Sequence, residues 1–491
     1  MSETSVRAQA LRTLLAAFPG TTAPDWVRRL GDEGLGGIVL FGHNIVDADQ
    51  VTGLISALRE GRPELIVSVD EEGGDVTRLG YTSGSRYPGN AALGAVDDEA
   101  LTRQVYRALG SELAALGITL DLAPTVDVNS APDNPIIGTR SFGTDPARVA
   151  AHTAAAVAGL GDAGVAACAK HFPGHGATRV DSHDTVPVVD APLSVLRERD
   201  LPPFAAAISA GAPAIMTAHI RVPEVTGDLP ATFSPAALHG LLRDELGFTG
   251  AIVTDALEMR GASGGHGLGV AAVRSLAAGA DLLCLGARIT EELVEATVAE
   301  IVAAVRDGRL PADRLADAAA RSVTLATATR PDPARLRAAA NGQEEIGLAA
   351  ARRALRVHGV VPAAGRPLIV ELDAPPTIAV GEVPWGLLPY LERTAADADL
   401  VRLRPMGDAP IDVPGLVARS AGGPIILVTR DTHRHERIRT LIEDITAAHP
   451  QVVLVEMGWP AWRPPRALGY LATYGAGPAN ARAAAEALLP S

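Results

Sequence analysis

Eight short apolar runs recur between residues 14 and 285, and stretches rich in Ala, Leu and Arg with helical character separate them. They are Leu14–Phe18, Gly37–Phe41, Leu65–Asp70, Ile118–Ala123, Val165–Lys170, Ala214–Ala218, Ala251–Asp255 and Asp281–Leu285. This alternation is the signature of βα units repeated around a parallel sheet. Eight units within about 320 residues fit an α/β fold of the (β/α)8 TIM-type barrel with insertions. A doubly wound open sheet is the other arrangement the repeat allows. The polar residues favour the barrel: His43, Asp70, Asp127, Lys170, His171, His219 and Asp255 fall at or just beyond the carboxyl ends of the runs. In a barrel those ends share one face, and that face carries the chemistry.

At 491 residues the chain is too long for one ordinary core, so two domains are expected. The barrel is assigned to residues 1–328 and closes with helices at Glu291–Asp307 and Ala312–Ala328. Residues 329–363 form a linker and helix: prolines mark Thr329–Pro333 as a turn, and Glu344–His358 is amphipathic. Residues 364–491 make a smaller C-terminal α/β sandwich domain with strands at Pro367–Glu371, Thr377–Val380, Pro424–Thr429 and Gln451–Glu456, ending in a helix near Ala479–Leu489. That domain holds Trp385, Trp459 and Trp462, whose expected role is packing rather than sugar stacking.

Charge narrows the partners. A net charge of −14 with no basic tract argues against binding to nucleic acid or to an anionic membrane surface. No run reaches the roughly 18 apolar residues of a membrane span, and the N-terminus lacks the pattern of a secretory signal, so a cytoplasmic location is expected. Cys168 and Cys284 both lie in apolar, strand-like runs and read as small core residues rather than a disulfide or metal site.

Lys170 is the only lysine in the chain; every other basic residue among the 43 Lys and Arg is arginine. A lone ammonium in such a background suggests a position needing a compact point charge on a flexible stem, which a planar guanidinium does not imitate. It opens the run Lys170-His171-Phe172-Pro173-Gly174-His175-Gly176, which continues to Asp181-Ser182-His183. One reading of three histidines and an aspartate in one loop is a zinc site. The Phe-Pro-Gly between His171 and His175 rules out one helical face, so the helical His-x3-His geometry is unavailable. The other reading is a polar cleft, in which Lys170 and His171 donate to a hydroxylated ligand and Asp181 holds His183 in one tautomer for acid/base work.

Asp255 ends a buried β-run and is held rigidly, as a nucleophile attacking an anomeric carbon must be. Capping of a following helix is the alternative. Asp70 ends another run and suits the floor of a sugar site, since a carboxylate accepts two vicinal hydroxyls. Glu71, Glu72 and Asp75, which follow it, read as solvated loop charges. Arg78 lies beyond that glycine turn, and Arg140 is either a ligand donor or half of a surface ion pair.

These runs together resemble glycoside hydrolase family 3, and within it the two-domain bacterial β-N-acetylglucosaminidases of the peptidoglycan-recycling type. The resemblance spans the barrel from Phe18-Pro19-Gly20 to Ala277-Ala278-Gly279-Ala280-Asp281-Leu282, and Thr473-Tyr474-Gly475-Ala476-Gly477 looks like the family's second domain. Its most specific element is Lys-His-Phe-Pro-Gly-His-Gly followed by Asp-Ser-His, because the other branches use a remote carboxylate acid. The resemblance implies Asp255 as nucleophile, His183 as acid/base and Asp181 as its dyad partner. It implies Asp70, Arg78, Arg140, Lys170 and His171 as substrate-binding residues, no metal or other cofactor, and a small oligosaccharide or muropeptide as the partner. Glu71 and Asp75 depart from the usual Asp-Gln-Glu-Gly-Gly-Arg pattern and make the mouth more acidic.

The implied chemistry is a two-step retaining reaction. Asp255 forms a covalent glycosyl intermediate while His183 protonates the leaving oxygen and then activates the acceptor. A neutral imidazole does not repel an anionic acceptor, so phosphorolysis is an alternative to hydrolysis. A metal-dependent barrel hydrolase built on His171, His175, His183, His219 and Asp255 is the alternative of different chemistry.

Overall fold

All eight apolar runs become strands in the computed structural model, which describes residues 2–180, 186–328, 343–361, 366–387, 399–407 and 411–488. The strands are β1 (Leu14–Ala16), β2 (Gly37–Leu40), β3 (Ile66–Val69), β4 (Leu120–Asp121), β5 (Ala166–Phe172), β6 (Ala214–Thr217), β7 (Ala251–Thr254) and β8 (Leu283–Cys284). Consecutive strands from β1 to β7 pair in parallel, β1 also pairs with β8, and a bridge between Val253 and Leu282 joins β7 to the β8 segment. The sheet therefore closes on itself as a barrel, which removes its edges.

Strand parity determines what faces the barrel axis. Ile66, Ala166, Cys168, Ala251 and Val253 pack in one buried core with Leu15, Val39, Met216 and Cys284. Side chains alternate along a strand, so Asp70, Lys170 and Asp255 continue the same inward parity at the carboxyl ends of β3, β5 and β7. Both cysteines are free and buried, as small core residues should be. The chain reaches β5 through the helix Pro146–Asp162, where Asp145 accepts from the Ala147 N–H at 3.0 Å and Pro146 supplies a ready-made first-turn φ. The helices Glu291–Arg306 and Ala312–Ala328 follow the barrel strands as the periodicity predicts. No helix among the described residues is long and apolar enough to cross a membrane.

Two compact units make up the chain, and their division is not linear in sequence. One comprises Met1–Glu72, Glu99–Asn134 and Gly143–Gln343; the other comprises Gly73–Asp98, Pro135–Phe142 and Glu344–Ser491. The segments after β3 and β4 that carry Arg78 and Arg140 thus cluster with the C-terminal residues, unlike the 1–328, 329–363 and 364–491 division drawn from the sequence.

The second unit is built on a six-stranded sheet among the described residues, ordered β11-β10-β12-β13-β14-β9. These are β9 (Arg356–Gly359), β10 (Leu368–Leu372), β11 (Asp399–Leu403), β12 (Ile425–Thr429), β13 (Val452–Glu456) and β14 (Gly469–Ala472), with β9 antiparallel to β14 and the rest parallel. Three expectations are corrected here. The amphipathic helix ends at Ala354, because residues 356–359 pair with β14, a partner distant in sequence that helical periodicity cannot register. Thr377–Val380 is not a strand: Pro375 and Pro376 precede it without N–H donors, and Thr377 Oγ1 accepts from the Val380 N–H at 3.3 Å in a turn. Strands β11 and β14 were not anticipated. Trp385 and Trp462 pack against the sheet's buried clusters, as expected of packing residues.

Candidate active site

Lys170 projects from β5 into the barrel mouth, with Nζ 2.6 Å from Asp70 Oδ1 and 2.8 Å from Glu72 Oε1. Strand β4 lies between β3 and β5, so the ammonium reaches past a neighbouring strand to a carboxylate on the far side of it. The Lys170 side chain is 2% exposed, Glu72 2% and Asp70 20%, which leaves Asp70 the most open of the three. A buried ammonium is tolerated only where charges and hydrogen bonds replace its water. Glu72 meets that need and also accepts from the Thr125 hydroxyl at 3.0 Å.

The three acidic residues read as solvated are therefore corrected. Glu72 and Glu71 are buried, and the Glu71 N–H donates to Asp121 Oδ1 at 3.0 Å. Burial pushes the Asp121 carboxyl well up from its ordinary value. Asp75, in the second unit, accepts from the Thr139 hydroxyl at 2.6 Å and the Ala476 N–H at 2.7 Å.

His171 follows Lys170, and its Nδ1 lies 2.7 Å from Asp127 Oδ2. A carboxylate oxygen facing Nδ1 calls for a hydrogen there, which in the neutral ring makes Nε2 the acceptor. Asp127 Oδ1 also accepts the backbone N–H of His171 at 3.3 Å and of His175 at 2.5 Å. One carboxylate in the segment after β4 thereby fixes both a side chain and the backbone of the loop after β5. Burial alone raises the Asp127 carboxyl, but His171 and His175 outweigh it and hold it below its ordinary value. Burial, then His171, lowers His175 to about 4, so its ring is neutral at physiological pH. Backbone packing holds the same loop: a Cβ on Gly176 would lie 1.7 Å from the Val128 carbonyl oxygen, and the Gly176 carbonyl accepts from Ala131 at 3.1 Å.

Asp255 is the first residue past β7 and is half-buried. Its N–H donates to Thr217 O at 3.3 Å, and its Oδ1 accepts from the Ala256 N–H at 2.8 Å. The helix that follows begins at Arg260 with Met259 before it, so Asp255 is not its cap. The Cys168 thiol on the barrel axis is raised by burial first, countered by Lys170, and raised further by Asp70, Asp121 and Asp255. Cys284 is raised by burial and then by Asp255 and Asp70. Two axial side chains thus sense the same two rim carboxylates.

Asp181 and His183, the expected dyad, lie outside the described residues. Arg78 and Arg140 belong to the second unit, where Arg78 Nη2 donates to Ala379 O at 3.2 Å and Arg140 Nη1 to Ile136 O at 3.0 Å. Arg140 is buried, which corrects the surface ion-pair alternative. No three His, Cys, Asp or Glu side chains among the described residues come together to hold a metal ion. The barrel unit brings Asp70, Lys170, His171 and Asp255 to one rim and adds Glu72 and Asp127, to which the sequence had given no role. A lone buried ammonium is the signal that could have identified Glu72, since it demands more anionic company than Asp70 alone.

Carboxylates and one ammonium on a barrel rim supply the acceptors and donors that a hydroxylated ligand needs, as in the glycoside hydrolase class. Comparison with known proteins narrows the class: the model for the glycosyl hydrolase family 3 N-terminal domain matches residues 14–325, and the chain belongs to that family. A solved family 3 β-N-acetylglucosaminidase from Paenibacillus sp. str. FPU-7 superposes with a TM-score of 0.85 at 32% identity, covering 98% of this chain and 96% of that one. Beta-hexosaminidase A of Pseudoalteromonas piscicida is 33% identical over 393 residues, 72% of this chain and 65% of that protein, so the match spans just under two-thirds of its length. The beta-hexosaminidase of Stenotrophomonas maltophilia strain R551-3 is 40% identical over 266 residues, 53% of this chain and 77% of that protein.

Proposed function

We propose that this glycoside hydrolase is a retaining β-N-acetylglucosaminidase that releases terminal non-reducing N-acetylglucosamine from β-linked glycosides such as muropeptide fragments. The observation that carries the reading is the inward parity of Asp255, Asp70 and Lys170 on one barrel rim, with Lys170 paired to Asp70 at 2.6 Å. The similarity to β-hexosaminidases and to a β-N-acetylglucosaminidase supports the choice of sugar.

In this reading Asp255 attacks the anomeric carbon, and its backbone anchors limit the motion that would spoil alignment. Asp70, Lys170 and His171 bind ring hydroxyls: Asp70 accepts, the Lys170 ammonium donates, and Asp127 orients His171. Arg78 and Arg140 are assigned to substrate binding on the same resemblance. His183, supported by Asp181, protonates the leaving oxygen and then activates water, so two inversions retain the anomeric configuration.

The test is product analysis with aryl β-N-acetylglucosaminide and aryl β-glucoside in phosphate and in phosphate-free buffer. Free β-N-acetylglucosamine as the first product in both buffers, with the glucoside turned over far more slowly, is the expected result. N-acetylglucosamine 1-phosphate as the main product in phosphate would replace hydrolysis with phosphorolysis, and preference for the glucoside would remove the assigned sugar.

A further inference from the structure

Behind the Asp255 turn lies a buried polar chain that the catalytic scheme does not use. His219, just past β6, is fully buried, as are Thr217 on that strand and Thr232 in the short helical turn Ala231–Phe233. His219 Nε2 lies 3.1 Å from the carbonyl oxygen of Ala256, the residue after the proposed nucleophile. Its Nδ1 lies 2.9 Å from Thr232 Oγ1, which is 2.8 Å from Thr217 Oγ1 and 3.0 Å from the Ala218 carbonyl oxygen.

Hydrogen counting fixes the end of the chain that matters. A carbonyl only accepts, so Nε2 carries a hydrogen and donates to Ala256. Thr232 has one hydroxyl hydrogen. If it points to Nδ1, the ring is neutral and Thr232 accepts from Thr217; if it points to Ala218 O or to Thr217, Nδ1 must donate to Thr232 and the ring is cationic. The Nε2–H bond to Ala256 stands in both arrangements.

Ala256 links this contact to Asp255 across its own Cα: its carbonyl, in the Ala256–Leu257 peptide, is held by His219, and its N–H, in the Asp255–Ala256 peptide, donates to Asp255 Oδ1 at 2.8 Å. On the opposite side, toward β8, the Leu257 N–H donates to Cys284 O at 2.9 Å, and the Glu258 carboxylate accepts from Ala287 at 2.6 Å and Arg288 at 3.1 Å. The turn is thus held from β8 by Leu257 and Glu258, and from β6 by His219.

We propose that His219, braced by Thr232 and Thr217, is a positioning residue that sets the attack angle of Asp255 by holding the Ala256 carbonyl. The inference rests on the assignment of Asp255 as nucleophile. His219 touches neither substrate nor the reacting atoms, and its effect falls on alignment rather than on ground-state binding.

The experiment compares His219→Phe, His219→Gln and Thr232→Val with the wild type in the full chain, and includes Asp255→Asn as a control. Glutamine places an amide N–H where the imidazole Nε2–H stood, whereas phenylalanine fills the space without a donor. His219→Phe is expected to lower kcat about 100-fold with KM changed less than about 2-fold, since a small misplacement of a reacting group costs about that much. The rate of covalent inactivation by a fluorinated N-acetylglucosaminyl fluoride falls in parallel. His219→Gln recovers most of the loss, and Thr232→Val lies between. Wild-type kcat in His219→Phe overturns the proposal; so does an equal loss in the Phe and Gln variants accompanied by a fall in Tm, which marks a structural role only. Activity surviving in Asp255→Asn overturns the nucleophile assignment instead.

Discussion

In the barrel, Asp127 meets the His171 imidazole and lies near His175; in the second unit, Glu456 accepts from the backbone N–H groups of Asp431, Thr432 and Gly458, at 2.8, 3.1 and 2.7 Å. Both carboxyl groups are buried, Glu456 as the last residue of β13 and Asp127 in the segment that follows β4. The two imidazoles reverse the effect of burial and hold Asp127 below its ordinary value, while burial, with Asp431 adding to it, pushes Glu456 up to about 8. Partner chemistry decides the outcome: amide dipoles tie loops together without matching a full charge, whereas ionisable partners keep a buried carboxylate charged. Asp127 is thus held as a charged group beside ionisable side chains, and Glu456 as a tie between backbone segments.

The largest effect should come from removing the barrel's ammonium. Lys170→Ala leaves Asp70 and Glu72 facing each other without compensation, and a loss of about 3–5 kcal/mol in denaturant unfolding is expected. Activity should fall about 10²–10³-fold, as when one preorganised donor is deleted. Lys170→Arg should not restore it, because a rigid planar fork does not replace a point charge shared by two carboxylates. Near-wild-type behaviour of the arginine variant would break the barrel half of the comparison.

Asp127→Asn should cost about 10- to 100-fold in kcat/KM, the range of one charge-assisted hydrogen bond, by loosening His171 and the loop after β5. Unchanged steady-state kinetics would show that His171 needs no orienting partner.

Thermal unfolding against pH sharpens the contrast between the units, because the two shifts have opposite consequences. His175 is lowered from 6.5 to about 4, so the unfolded chain binds its proton more readily. Its contribution is intact above about 6.5 and is lost toward about 4, at up to about 1.4 kcal/mol per pH unit. His175→Gln should flatten that acid limb. Glu456 is raised from 4.5 to about 8, so its contribution is intact below 4.5 and is lost as pH rises through about 8. Glu456→Gln should flatten the alkaline limb and leave the acid one alone. Exchange of the two limbs between the variants would invert the comparison.

The barrel was legible because each strand is a local apolar run, and the proposed site residues Asp70, Lys170 and Asp255 each lie at the end of one, where period-two alternation alone turns them inward. Glu72 was not, since only a fold that puts the segment after β3 within reach of Lys170, across β4, turns a loop charge into a buried partner. Asp127 could be placed beyond the end of a strand, but its service to two histidines depends on the path of another loop. In the second unit, β9 and β14 are four residues each and find each other from distant parts of the chain, which no local pattern encodes. Arg78 and Arg140 were grouped with the barrel on sequence order, yet their segments pack with residues far downstream.

Trapping with a fluorinated N-acetylglucosaminyl fluoride, followed by digestion and peptide mapping, tests the central claim most directly. A single adduct on the peptide containing Asp255, formed at a rate that competing substrate slows, is the predicted result. An adduct on Asp70, Glu72 or any other carboxylate, or turnover through no covalent adduct, would contradict it.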